Sequence, residues 1–201
     1  MPIKHTLIIA GMSRAGKSFL IERLRSGTLP KLQKILGVRN LQNWGFLQQA
    51  WYLGEKQSLS ERLLVHYDIY AVAADPGITF GELDFLLSNS ERTTIVTIME
   101  STSVLIQRNR AQTIKHLLSY CKLNTLIHPH GFFRPFRYFL AKGKAYNRGI
   151  HQGYHQEWFS FLKQYPRASI FTIMGSRIDD ASRRQMPTGE MGIIIEGEQV
   201  L

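Results

Sequence analysis

The stretch Gly11-Met12-Ser13-Arg14-Ala15-Gly16-Lys17-Ser18 decides the fold. Two glycines let the backbone close tightly around phosphate oxygens, and successive N–H groups with the start of a helix aim partial positive charge inward. The flanks agree with that reading. Upstream, His5-Thr6-Leu7-Ile8-Ile9-Ala10 is an apolar run of buried-strand length, and downstream Phe19-Leu20-Ile21-Glu22-Arg23-Leu24 has helical apolar spacing. Strand, glycine-rich turn and helix together predict a phosphate cradle spanning Gly11, Met12, Ser13, Arg14, Ala15, Gly16, Lys17, Ser18 and Phe19. In such a cradle the Lys17 ammonium neutralises β- and γ-phosphates, and the Ser18 hydroxyl is a ligand for Mg²⁺.

Working outward, the chain alternates strands and helices. The pattern predicts a strand over 5–10, a helix over 17–26, helical stretches near 30–36 and 40–51, and a strand within 63–72. A helix near 80–88, a strand over 93–99, a helix over 102–119, a helix over 149–164 and a strand over 168–174 follow. This order implies an α/β fold of three layers, a parallel sheet covered on both faces, with ligands at the carboxyl ends of the strands. No repeat or low-complexity linker divides the 201 residues, so one domain is expected, with a basic, aromatic, lid-like insertion over about 108–145.

Composition narrows the function classes. At 44% hydrophobic and 20% charged residues, the chain can build a core and is not a disordered one. One cysteine, Cys121, cannot form an intrachain disulfide, the apolar run Leu7 to Ala10 is shorter than that of a signal peptide, and charged or polar residues interrupt every hydrophobic run. A cytoplasmic protein without a transmembrane segment is expected. The net charge of +10 is concentrated: Ser101 to Ile150 holds nine basic residues and no Asp or Glu. That block predicts an anionic partner.

With its phosphate loop set between strand and helix, the sequence resembles the P-loop NTPase superfamily, whose Walker A motif Gly11 to Ser18 reproduces at every fixed position. Within that superfamily the resemblance is to the adenylate-kinase-like small-molecule and nucleotide kinases. The segment Thr94 to Arg110 looks like the strand, turn and helix that opens their mobile lid, with Arg108 in the place of the lid arginine and Arg110 close to where a second falls. The resemblance implies ATP, ahead of GTP, with Mg²⁺, and phosphoryl transfer to a small anionic or saccharide-type acceptor. It also implies that Lys17, Arg108 and Arg110 stabilise transferred charge. A GTPase expects an N-K-x-D motif, but Ser176-Arg177-Ile178-Asp179 lacks the Asn and the Lys. Sulfotransferases share a related fold, yet their loop usually lacks the Gly-Lys pair present here.

A kinase needs a carboxylate at the carboxyl end of a strand beside the loop, to take the acceptor's proton or hold Mg²⁺. Asp68, after Leu63-Leu64-Val65-His66-Tyr67, is the first candidate, and Asp75 is the second if the strand runs on to Ala74. Glu100 also ends a strand and would reach magnesium through water. Gly131 to Phe139 interleaves aromatics with Arg134 and Arg137, which suits a lid or a stacking surface for nucleic acid. A nucleotide-gated protein that grips nucleic acid or an anionic surface is therefore the alternative. Tyr146, Arg148 and Tyr154 are candidates for the acceptor pocket's edge. The pairs His128/His130 and His151/His155 lack the third ligand of a zinc site.

Overall fold

The structure, a computed structural model, describes residues 3–48, 60–69, 80, 83–123, 140, 143, 144 and 149–175. Asp75, the aromatic segment 131–139, His128, His130, Tyr146, Arg148 and 176–201 lie outside the described residues.

The elements run β1 (His5–Gly11), α1 (Lys17–Arg25), α2 (Pro30–Ile35), a 3-10 turn (Leu41–Asn43), β2 (Gly45–Gln48) and β3 (Arg62–Asp68). Then come α3 (Asp84–Asn89), β4 (Thr93–Met99), α4 (Thr102–Leu123), α5 (Ile150–Leu162) and β5 (Ser169–Met174). All neighbouring strands pair in parallel, in the order β2-β3-β1-β4-β5. β1 is buried along its whole length, which is why its sequence is continuously apolar rather than alternating. The chain leaves β1 toward β3 on one side and β4 on the other. The end of β1 is thus a topological switch point, where parallel sheets open a crevice for ligands. The result is an α/β fold, a five-stranded parallel sheet flanked by helices, consistent with a P-loop type of architecture.

Both sheet faces are covered. Side chains alternate along β3, so His66 and Asp68 share one face and Tyr67 takes the other. His66 meets Ser18 of α1 on the first face, and Tyr67 stacks on Trp158 of α5 on the second. Phe80 and Phe161 join Trp158 there, and the Trp158 indole N–H donates to the Thr97 hydroxyl of β4 at 3.0 Å. Beyond the end of α5 the Tyr165 hydroxyl donates to Asp84 on α3. Burial, together with that bond, pushes the phenol up to about 12.

One predicted element is corrected. Of the expected helix over 40–51, the described residues 40–48 do not form a helix: they are the 3-10 turn followed by edge strand β2, which pairs with Leu63 to His66 of β3. Leu41, Trp44 and Leu47 are all buried, and their spacing of three mimics one helical face. Gly45 marks the true geometry, since a Cβ there would meet Ser60 Oγ at 2.6 Å. Elsewhere the elements fall within a few residues of expectation. α4 runs on to Leu123, so the first part of the expected insertion is helix.

Candidate functional site

The loop between β1 and α1 sits at the switch point. Arg14 and Gly16 both adopt positive φ, 74° and 106°, which turns the chain back on itself before α1 starts. α1 begins at Lys17 with no capping side chain and no acidic residue in its first turn, so its positive end is open to an anion. Lys17 is buried, 4% exposed as a residue, and its ammonium folds back to donate to the carbonyls of Gly11 and Met12, at 3.0 and 2.7 Å. A buried cation clasped by the loop's own carbonyls keeps positive charge at the centre of the cradle.

Gly11 is needed for a steric reason: a Cβ on it would stand 2.8 Å from the Ile98 carbonyl oxygen, a backbone atom of β4 that cannot swing away. Gly11→Ala is expected to cost about 1 to 3 kcal/mol through overpacking, read as a lowered urea midpoint with unchanged slope. A neutral result would mean that β1 and β4 separate more easily than their pairing implies. Gly175, just past β5, plays a matching part. A Cβ there would run into the Ala15 carbonyl and lie 2.8 Å from Glu100 Oε2, so β5 delivers bare backbone against the loop.

Asp68 ends β3 directly opposite Gly11 in register, on the face that carries His66. Ser18 Oγ lies 3.4 Å from His66 Nε2. Burial chiefly, and Lys17 next, push the His66 imidazole down to about 4, with Asp68 opposing them. Lys17, Ser18, His66 and Asp68 therefore form one electrostatic cluster around the carboxyl ends of β1 and β3. His66, which reads in sequence as a structural histidine beside an apolar run, is the group that links them.

His5, at the opposite end of β1, is also pushed down to about 4, first by burial and then by Arg92 and Arg62. Both histidines ordinarily titrate at 6.5, so between about 6.5 and 4 the unfolded chain binds more protons than the folded one. Stability is expected to be complete above pH 6.5 and to fall as pH drops toward 4, by about 1 to 2 kcal/mol for each histidine. Urea midpoints at pH 7.5, 6, 5 and 4.5 check this, and a flat profile would contradict neutral burial of both rings.

Arg108 reaches the loop from α4, donating to the Arg14 carbonyl at 3.0 Å and standing 3.3 Å from Glu100 Oε2. The Glu100 side chain is only 1% exposed, and its other oxygen accepts the Ser101 N–H. Its placement makes it the carboxylate that orients Arg108. Arg110, two residues on, lies on the exposed face of α4. Phe19 is half-buried against the core, with the Arg23 guanidinium 5.2 Å from its ring centroid. A cavity of about 420 Å³ opens beside the loop helix, lined by Ser18, Glu22, Arg25, Phe46 and His66. Arg25 and Phe46 are members that sequence spacing did not single out. No group of three His, Cys, Asp or Glu side chains is arranged to hold a metal among the described residues.

No helix among the described residues is long and apolar enough to cross a membrane. No family model and no curated protein matches the chain. Among solved structures it is similar to polyphosphate kinase 2 from Arthrobacter aurescens TC1, with 14% identity, 94% of this chain and 72% of that one covered, and a TM-score of 0.42.

Proposed function

We propose that this protein binds ATP with Mg²⁺ in the Gly11–Ser18 loop and transfers the γ-phosphoryl group to a small acceptor seated in the cavity between α1, β2 and β3. The observation that carries this reading is the Lys17 ammonium, buried in the loop beside Ser18, His66 and Asp68.

Each residue has a role that follows from its place. Loop N–H groups and the open end of α1 hold the phosphates, and Lys17 tracks charge onto the β- and γ-oxygens. A hydroxyl from Ser18 and a carboxylate from Asp68 fit Mg²⁺, which prefers hard oxygen donors and keeps waters and substrate phosphates as its remaining ligands. When bound, that ion would supply charge neutralisation to the phosphates. Asp68 accepts the acceptor hydroxyl's proton as its oxygen bonds to γ-phosphorus and the bond to the bridging oxygen breaks. Arg108 leaves the Arg14 carbonyl to meet the γ-phosphate, whereas Arg110, two residues on along the same helix, lies on its exposed face and does not point with it. Arg25, whose guanidinium lies 5.9 Å from the Phe46 ring centroid, favours an anionic acceptor over a neutral saccharide.

The test follows label from γ-labelled ATP into candidate acceptors, sugar phosphates and nucleoside monophosphates first. Asp68→Asn is expected to lower turnover about 10²-fold while the ATP-dependent thermal shift survives. Equal turnover in Asp68→Asn removes it as the base. Salt-sensitive oligonucleotide binding with no transfer to any acceptor would favour nucleotide-gated binding instead.

A further inference from the structure

A second cavity lies away from the Gly11–Ser18 loop. It has a volume of about 640 Å³ and opens at the amino ends of the strands, the opposite pole of the sheet. Five cationic side chains line it: Lys4, Lys34, Arg39, Arg62 and Arg92. They come from four separate stretches of chain. Lys4 leads into β1, Arg62 opens β3 and Arg92 leads into β4, so the parallel sheet brings their amino ends side by side. Lys34 and Arg39 arrive with α2 and the turn after it.

Compensation is sparse. Lys4 pairs with Glu61 at 2.8 Å, and among the described residues no carboxylate forms an ion pair with the other four. The Arg92 guanidinium is seated over Gly37, which has φ of 64° and no Cβ to obstruct it, and reaches the Leu36 carbonyl at 3.4 Å. His5, on the cavity wall, stays neutral partly because Arg92 and Arg62 repel a further proton. Its ring is fixed by Thr94 at 3.0 Å and by an edge contact with Trp44 at 5.0 Å. Like charges gathered in one concave site repel, and an anion that enters offsets the repulsion. The Trp44 ring is buried, so the site offers charge rather than a base-stacking platform.

We propose that this cavity binds a compact, multiply charged phosphate group, a di- or triphosphate moiety, independently of the Gly11–Ser18 loop. The volume is within the range of small-ligand sites, and guanidinium forks match phosphate oxygens bidentately. Inorganic chains and nucleotides both carry such a group.

Calorimetric titration at physiological salt separates these sources and the two sites. Inorganic tripolyphosphate and ADP are each titrated into wild type, Lys17→Ala, the double variant Arg39→Gln/Arg62→Gln and the triple variant that adds Lys17→Ala to it, in which the loop no longer contributes. Both arginines are exposed, so the double variant is expected to fold, which its unchanged ATP-dependent thermal shift verifies. Tripolyphosphate is expected to bind Lys17→Ala as it binds wild type, and to bind the triple variant about 10- to 100-fold more weakly. ADP binding to Lys17→Ala that the arginine changes weaken equally would identify a nucleotide as the source, and its absence an inorganic chain. Four results overturn the proposal: no tripolyphosphate binding by Lys17→Ala, affinity in the triple variant unchanged from Lys17→Ala, equal binding of sulfate at matched ionic strength, or preference for an oligonucleotide with a steep salt slope.

Discussion

Lys17→Ala is expected to abolish the nucleotide-dependent rise in melting temperature and to reduce phosphoryl transfer by about 10³-fold or more. Wild type at 100 times its dissociation constant for ATP gains about 2.7 kcal/mol, and the variant should gain close to none. The size of the effect comes from burial. With Lys17 buried, its ammonium acts in a site where water screens little, so its attraction for phosphate far exceeds that of a surface lysine. The ligand-free variant should lose little stability. The Gly11 carbonyl still accepts the Ile69 N–H, the Met12 carbonyl still accepts the Ala15 N–H, and a buried charge has been removed. A second readout needs no ligand. Because Lys17 helps hold the His66 imidazole down at about 4, removing it should let that ring titrate at higher pH, visible by NMR. Unchanged His66 titration together with an intact ATP shift would detach Lys17 from the cluster and remove the basis of the proposed function.

The strand, turn and helix of the candidate site were legible because their requirements are local: glycines at turns of positive φ, a lysine at the first helical residue and a buried strand before it. Asp68 was legible because Leu63 to Tyr67 reads as a strand and Asp68 is where it turns polar. In the structure β3 stops there, opposite Gly11. Arg25 and Phe46 were not legible as site members, since they meet only when α1 packs over edge strand β2, and β2 reads as a helix in sequence. The same limit applies to charge. Counting along the chain assigns the positive excess to 101–150, because acids elsewhere offset the remaining bases in number. They offset them only in part in space: Glu61 pairs with Lys4, but Lys4, Arg62 and Arg92 still converge because each stands at the amino end of a parallel strand. A basic residue repeatedly placed before or at the start of predicted parallel strands is a signal that sequence inspection can use.

Trp158→Ala is expected to lower stability by about 3 to 5 kcal/mol, a large share of the 5 to 15 kcal/mol that holds a typical domain together. Trp158 is wholly buried, stacks on Tyr67 at 5.5 Å, meets the edge of Phe80 at 5.3 Å and lies 6.0 Å from Phe161. Truncation leaves a cavity among aromatic rings that are themselves anchored on the sheet, so collapse into it is limited. It also takes the donor from the Thr97 hydroxyl. Thr97 pairs with Ala10, the residue before the phosphate loop, so the indole steadies the sheet where β1 delivers that loop. Trp158→Phe separates the contributions: it keeps an aromatic ring and should cost markedly less, with the lost hydrogen bond contributing about 1 kcal/mol. Urea unfolding of the two variants checks this order. A loss below about 1 kcal/mol for Trp158→Ala would mean that α5 does not dock on the β3–β4 face, whereas equal losses in the two variants would assign the effect to the hydrogen bond and the indole's shape. In the expected case the folded fraction of Trp158→Ala still binds ATP, because none of the loop's contacts passes through the indole except by way of the strand that carries it.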